Sequence, residues 1–409
     1  MSVPLTEAKA KTPARPVSDF PVEGVGGVVV GGDYQGLGIT RSLGRRGRPV
    51  VIIDSEFSIS RFSRYATRSV RVDDLLTEEK VIESLLDTAR KHNLRGWVLY
   101  PTRDETVAAI ARHRDVLSEW YRLPTPEWKV VRQAWDKRCT YKLAAELGIP
   151  FPKSWFPKSV EELAAVDGEF PLVIKPAIKE HFFYAARAKA WLAKDRAELI
   201  DLYRKASEFT PSDELIIQEY VPGGSSQQYG YGAFFKNGKA LGHITTHNQR
   251  CHPPQFGRSS TFVQTIDLPI LAQHAERFLS AMNYYGLAEI EFRFDEKSGQ
   301  YKILDVNART WGYHSIGAAA GPDFAHMVFE DQLGREPAAT SFKPGVTWVR
   351  FCTDLPVGFH GVWLKEWSLW EYLKTLRRVK VEAVFAAEDP LPSVVEWALV
   401  PYLAATRGY

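Results

Sequence analysis

At 409 residues the chain is too long for one compact core, so two or three domains are expected. A composition of 45% hydrophobic and 25% charged residues is that of an ordinary soluble globular protein, and a net charge of only +3 argues against bulk nucleic-acid binding. The three cysteines, Cys139, Cys251 and Cys352, are far apart and form no CxxC pair, which fits reduced thiols in a cytoplasm rather than a disulfide framework; no apolar stretch is long enough to span a bilayer.

Residues 1–25 lack an apolar h-region and carry scattered prolines, so they read as a disordered tail rather than a signal peptide. A first domain is expected over 26–125. It opens on "GVVVGGDYQGLGITRSLGRRGRPVVIIDS", in which β-branched runs at 28–30 and 50–53 flank a helix over 36–46. A strand at 96–101 and a helix from Asp104 follow, and the prolines of 123–128 mark a linker. The glycines at 31, 32, 36 and 38 do not spell GxGxxG, so a nicotinamide site with Asp54 on a ribose is the weaker reading of this turn. A tight turn before a helix, with carboxylate binding at the helix N-terminus, is the stronger one.

The second region, 126–335, should contain a helix over 136–150, a strand at 171–176, a helix at about 195–209 and a strand at 214–224. A smaller lobe is expected within it, at about 150–215. Asn237-Gly238 signals a two-stranded hairpin, and a helix should cover about 269–285. The residues from 336 to 409 form a tryptophan-rich C-terminal extension. Trp363, Trp367, Trp370, Leu373 and Leu376 recur there at helical spacing beside Lys374, Arg377 and Arg378. This amphipathic basic pattern leaves two readings, packing against the core and peripheral contact with a membrane, and packing is favoured.

The most informative stretch is "GLAEIEFRFDEKSGQYKILDVNAR", residues 286–309. If its loop is 296–300, Asp295 faces Tyr301 and Glu291 faces Asp305 across an antiparallel pair. Glu291, Asp305 and Asn307 then crowd one face. Opposed carboxylates repel, and a divalent cation removes that penalty. All-oxygen donors without Cys or His suit Mg²⁺ or Mn²⁺, which fill the rest of their shell with water and phosphate oxygens. The bland alternative is a solvated strand face compensated by Arg309. His243, His247, Cys251 and His252 match no familiar zinc spacing.

The ordered set "DKRCTYKLAAELGIPFP", "PLVIKP", "LIIQEYVPGG", "GLAEIEFRFD" and "ILDVNAR" resembles the ATP-grasp superfamily, in particular ligases similar to the carbamoyl-phosphate synthetase large chain and to D-aspartate ligase. The resemblance covers about 26–330. It implies an α/β fold in which a Rossmann-like domain precedes a two-lobed ATP-grasp domain. It implies an ATP- and Mg²⁺- or Mn²⁺-dependent cytoplasmic enzyme that activates a carboxylate as an acyl phosphate and joins it to an amine, both small molecules, in a chain that can form a homodimer. By position it assigns Lys137 and Lys175 to the nucleotide phosphates, and Gln218, Glu219 and Val221 to adenine, largely through backbone groups; Lys189, in a loop that departs from the relatives, is the preferred further phosphate contact, and Gln228 a further nucleotide contact. Glu291, Asp305 and Asn307 become metal ligands, and Arg309 meets the acyl phosphate. Arg250, in "HITTHNQRCHPPQFGRSST", is assigned to the carboxylate of an amino-acid substrate, with Arg258 or Ser259 assisting, unless that stretch is only a basic surface loop. Relatives have a glycine-rich loop after Lys175-Pro176. Here "AIKEHFFYAARAKAW" has no glycine, which leaves two readings: Lys179, His181, Arg187 or Lys189 supplies the cations a lid needs, or the loop is stiff or shaped for a different job. An ATP-binding module without chemistry is the competing class.

Overall fold

The computed structural model describes residues 20–178, 188–253, 256–257 and 259–407. Lys179, His181, Arg187 and Arg258 therefore lie outside the described residues. The first sheet is parallel and contains β1 (Gly27–Val30), β2 (Val50–Asp54), β3 (Arg68–Arg71), β4 (Trp97–Pro101) and β5 (Tyr121–Arg122), in the order β3-β2-β1-β4-β5. Residues 28–30 are valines buried on both faces, as a central parallel strand requires. Gly31 has φ +94°, and a Cβ there would lie 2.2 Å from the Thr102 hydroxyl, so the turn into the helix Tyr34–Gly44 needs glycine. The Asp54 carboxylate closes this turn by accepting from the Gly32 N–H at 2.6 Å and the Glu56 N–H at 3.1 Å. It is a structural clasp and not a ribose ligand.

A four-stranded antiparallel sheet follows: β6 (Ser154–Trp155), β7 (Leu172–Pro176), β8 (Trp191–Ala193) and β9 (Leu215–Glu219), in the order β6-β9-β7-β8. The helix Arg196–Ser207 covers it through Leu199 and Tyr203, which share one core with Leu172, Ile174, Leu215 and Ile217. Asp195 caps that helix by accepting from the Glu198 N–H. β9 ends at Glu219, short of the expected 224, because Pro222 and two glycines with positive φ follow.

The third sheet has seven strands: β10 (Gln228–Lys236), β11 (Lys239–His252), β12 (Ser259–Thr265), β13 (Gly286–Asp295), β14 (Gln300–Asn307), β15 (Thr347–Val349) and β16 (Val381–Glu382), in the order β14-β13-β10-β11-β12-β15-β16. Asn237 and Gly238, at φ +52° and +75°, make the two-residue turn between β10 and β11. β11 continues to His252, so most of the stretch open to a loop reading is strand. The helix Trp128–Trp135 was not foreseen; its two end tryptophans pack edge to face at 5.3 Å, and Arg112 stacks on Trp128.

The C-terminal residues add β15 and β16 to the sheet and then reach back to the first one. Asp389 is buried, pairs with Arg41 Nε at 2.9 Å, and also accepts from the Ser63 hydroxyl and the Arg64 N–H. Removing one partner of a buried pair leaves an uncompensated charge. Asp389→Ala is therefore expected to cost about 3–5 kcal/mol, read as a lower urea midpoint for unfolding.

Candidate functional site

β13 and β14 bring the acidic cluster together. Glu291 is the register partner of Asp305, and Glu289 that of Asn307. The expected loop is one residue too long, since Asp295 faces Gln300 and not Tyr301. A bulge between Glu291 and Phe292 restores the register, leaving Leu304 as the extra residue. Asn307 Nδ2 donates to Glu289 and to Glu291, each at 3.0 Å, and Gln228 Nε2 donates to Glu291 at 3.1 Å. Glu289 was left out of the expected site. Burial, and then the nearby Glu291 charge, push its carboxyl up to about 8.

Beside this cluster lies a cleft with about 830 Å³ of empty space, part of it open to solvent, within the range of small-molecule sites. Lys137, Lys175 and Lys189 line it, together with Glu291 and Asp305. Gln218, Glu219, Val221 and Gln228 line it too, and Val173, Ala190 and Leu304 give it an apolar end. The Gln218 side chain donates to the Ser154 hydroxyl and that of Glu219 pairs with Lys302, so both are held by neighbouring protein groups. The Val221 carbonyl accepts from Arg293 at 3.1 Å.

The two buried lysines differ in charge state. Lys137 begins the helix Lys137–Glu146, and its Nζ lies 2.7 Å from Asp305. Burial pulls its ammonium down, but Asp305 outweighs this and the net shift is upward. Lys175, on β7, donates to the Tyr141 hydroxyl at 2.7 Å. Burial first, and then the Lys137 charge, lower it to about 7. Tyr141 is a further buried group of the site; its hydroxyl donates to the Leu304 carbonyl at 2.8 Å.

A second cavity, of about 570 Å³, shares Lys189, Gln228, Glu291 and Asp305 with the first. Asn307, Arg309 and Tyr313 line it, as do Tyr34 and Gln35 from the first turn of the helix Tyr34–Gly44. Arg309 is clamped by Asp104 at 2.6 and 3.2 Å and donates to Asn307 Oδ1 at 3.0 Å. Burial alone would lower the guanidinium pKa, and Asp104 raises it above its ordinary value. Asp104 begins a helix of the first sheet's region and was read only as that.

Arg250 corrects the sequence reading. It is buried away from both cavities, with Nε and Nη2 each 2.8 Å from Asp354, and its guanidinium stacks on Phe262 and Tyr372. Its neighbours Asn248, Cys251 and Ser259 do line the second cavity. Bulges in the β11–β12 pairing on either side of Arg250 break the strict alternation of faces there, so its place in the stretch does not set the direction of its side chain.

The donor set fits a hard divalent ion. Among the described residues no group of three His, Cys, Asp or Glu is arranged to hold a metal alone, so Glu291, Asp305 and Asn307 would leave coordination places for phosphate and water oxygens. The crowding that raises Glu289 is relieved by positive charge at this point. As placed, Asn307 offers N–H groups to the glutamates, so holding an ion requires its amide to turn over.

No protein-family model matches the chain. It is 22% identical over 331 residues to a D-aspartate ligase of Enterococcus faecium, covering 76% of this chain and 77% of that protein. A carbamoyl phosphate synthase large chain of Thermomicrobium roseum is also 22% identical, over 78% of this chain but only 30% of that protein. Among solved structures, an L-amino acid ligase from Bacillus licheniformis superposes with a TM-score of 0.60 at 16% identity, covering 79% of this chain and 78% of that one. The biotin carboxylase domain of the Hydrogenobacter thermophilus 2-oxoglutarate carboxylase, solved with MgADP and bicarbonate, gives 0.63 at 16% identity over 78% and 73%. The fold is that of the ATP-grasp enzymes. The relatives and structural neighbours together point to an ATP-dependent carboxylate–amine ligase.

A polyphosphate beside Lys175 must restore its ammonium. Between pH 7 and the ordinary lysine value of 10.5, ADP binding is therefore expected to take up close to one proton. Affinity should fall as pH rises through that window, by up to about tenfold per pH unit. Calorimetric titrations in buffers of different ionisation enthalpy measure the uptake, and Lys175→Met should abolish it.

Proposed function

We propose that the protein uses Mg-ATP to phosphorylate a carboxylate and joins the resulting acyl group to an amine, with an amino acid as one of the two substrates. The supporting observation is the pair of cavities that meet at Glu291 and Asp305, one lined by lysines and the other by Arg309. In this reading Lys137, Lys175 and Lys189 hold the phosphates, while the 218–221 segment and the apolar end hold adenine. Gln228 acts mainly by orienting Glu291. Glu291, Asp305 and Asn307 would hold the metal ion, which would neutralise charge on the transferring phosphate when bound. Arg309, pre-oriented by Asp104, presents a planar fork of donors to the acyl phosphate. Tyr34, Gln35 and Tyr313 wall the acceptor cavity, whose acidic lining favours an amine.

The first parallel sheet with its helices serves as a Rossmann-like domain, and the residues from 336 as a C-terminal extension, in a cytoplasmic enzyme. The similarity to D-aspartate ligase makes D-aspartate the first amino acid to test. The dimer in the biotin carboxylase structure makes a homodimer the first assembly to test.

The experiment is phosphate release from Mg-ATP with a panel of amino acids of both chiralities and small carboxylic acids. Release should require one acid and one amine, and fall by about 100-fold or more in Asn307→Ala. Arg309→Lys keeps the charge but loses the fork, and should lower kcat more than it raises KM. Binding of ATP without release on any pair would instead indicate a module without chemistry.

A further inference from the structure

The hairpin formed by the helices Phe351–Trp363 and Leu369–Leu376 has an inner face that is fully satisfied. Trp367 fits against Gly358 and Gly361, and its indole N–H donates to the Gly358 carbonyl at 3.0 Å. A Cβ on Gly361 would lie 2.1 Å from the Trp367 ring, and one on Gly358 2.1 Å from Tyr372. Tyr372 is buried and its hydroxyl lies 3.2 Å from Asp354, the partner of Arg250. The hairpin is thus fixed to the seven-stranded sheet without help from its outer side chains.

Those outer side chains are large and apolar. Trp363 is 76% exposed, Trp370 60% and Phe359 54%, with Leu364, Leu369 and Leu373 also exposed. Packing does not explain them. Monomeric proteins rarely leave such a cluster uncovered, and two tryptophans among aliphatic neighbours match the preference of indole for a lipid–water interface.

Charge says what covers the face. Residues 359–380 contain five basic side chains (Lys365, Lys374, Arg377, Arg378, Lys380) and two acidic ones (Glu366, Glu371), a net +3. This equals the net charge of the whole chain, so the other residues balance to zero. All five cations are exposed, and Arg377 lies 4.7 Å from the Trp370 ring centroid. A self-associating face would gain nothing from that excess, whereas an anionic surface would. The adjoining helix Leu391–Arg407 adds exposed Val394 and Trp397. No helix among the described residues is long and apolar enough to cross a membrane.

We propose that the outer face of this hairpin and the turn after it, residues 359–380, dock the enzyme on an anionic phospholipid surface, with Trp363, Trp370 and Phe359 inserted at the interface and the basic side chains against the headgroups. The test is co-sedimentation of the full chain with phosphatidylglycerol-containing and with pure phosphatidylcholine vesicles, at low and high salt, with quenching of tryptophan fluorescence by brominated lipid. Binding is expected only to the anionic vesicles, weakened by salt, with quenching. The Trp363→Ser/Trp370→Ser variant, and separately Lys374→Glu/Arg377→Glu/Arg378→Glu, should each lose it by on the order of tenfold or more. Both variants should keep the parent's ADP affinity, which shows that they fold. The proposal fails if the parent stays in the supernatant, or if variants that bind ADP sediment as well as the parent. It also fails if ultracentrifugation without lipid shows a dimer that the tryptophan variant dissolves, since a second copy then covers the face.

Discussion

Three carboxylates on two adjacent strands are the constraint around which the site is arranged. Glu289, Glu291 and Asp305 face one another where β13 meets β14, and such a cluster opposes its own folding. The compensation comes from separate parts of the chain. Lys137 arrives at the start of a helix, Asn307 from the same strand as Asp305, and Arg309 from just beyond it, held by Asp104 of the first region. Each element has to be in place before the cluster can be tolerated. This ties the parallel sheet, the helix after it and the large antiparallel sheet into one electrostatic unit. The same negative charge that costs stability in the free protein is what a hard cation would need.

The sequence carried this cluster because alternation along a strand is a local rule. Glu291 opposite Asp305 follows from counting back from a Ser-Gly turn, although the count succeeded through two compensating departures, a loop one residue shorter and a bulge at Leu304. Lys137 and Lys175 were legible from their place in an ordered series of motifs and Lys189 only as one cation of a glycine-free loop, and all three line the cleft. Glu289 was visible in the alternation but not singled out, since nothing local says that it is buried. Asp104 and Tyr141 were not legible as site residues. Their partners, Arg309 and Lys175, are 205 and 34 residues away, and no pattern in either segment announces a contact at that range.

Arg250 illustrates the opposite failure. A basic residue between polar neighbours in a stretch expected near the reacting groups looks like a substrate ligand, and its neighbours do reach the cavity. Bulges in the pairing of β11 with β12 send Arg250 the other way, against Asp354 and between aromatic rings. What looked like binding chemistry is the anchor of the C-terminal hairpin. One strand therefore does two things, lining the second cavity with Asn248 and Cys251 and fixing the hairpin with the residue between them.

The unlike lysines carry the last step of the physical picture. Two ammonium groups in one cleft cannot both be fully charged unless anions balance each, and here Asp305 is hydrogen-bonded to Lys137, while at Lys175 burial and the Lys137 charge outweigh Asp305 and Glu291. Lys175 is left with a neutral tyrosine hydroxyl and is poised near half-protonation. A bound polyphosphate changes that balance, because it brings several negative oxygens to both lysines at once. A carboxylate partner for Lys175 would have kept it charged in the empty cleft, but it would also have competed with phosphate for the same ammonium. Pairing it with Tyr141 keeps its donors available and makes its charge depend on what occupies the cleft.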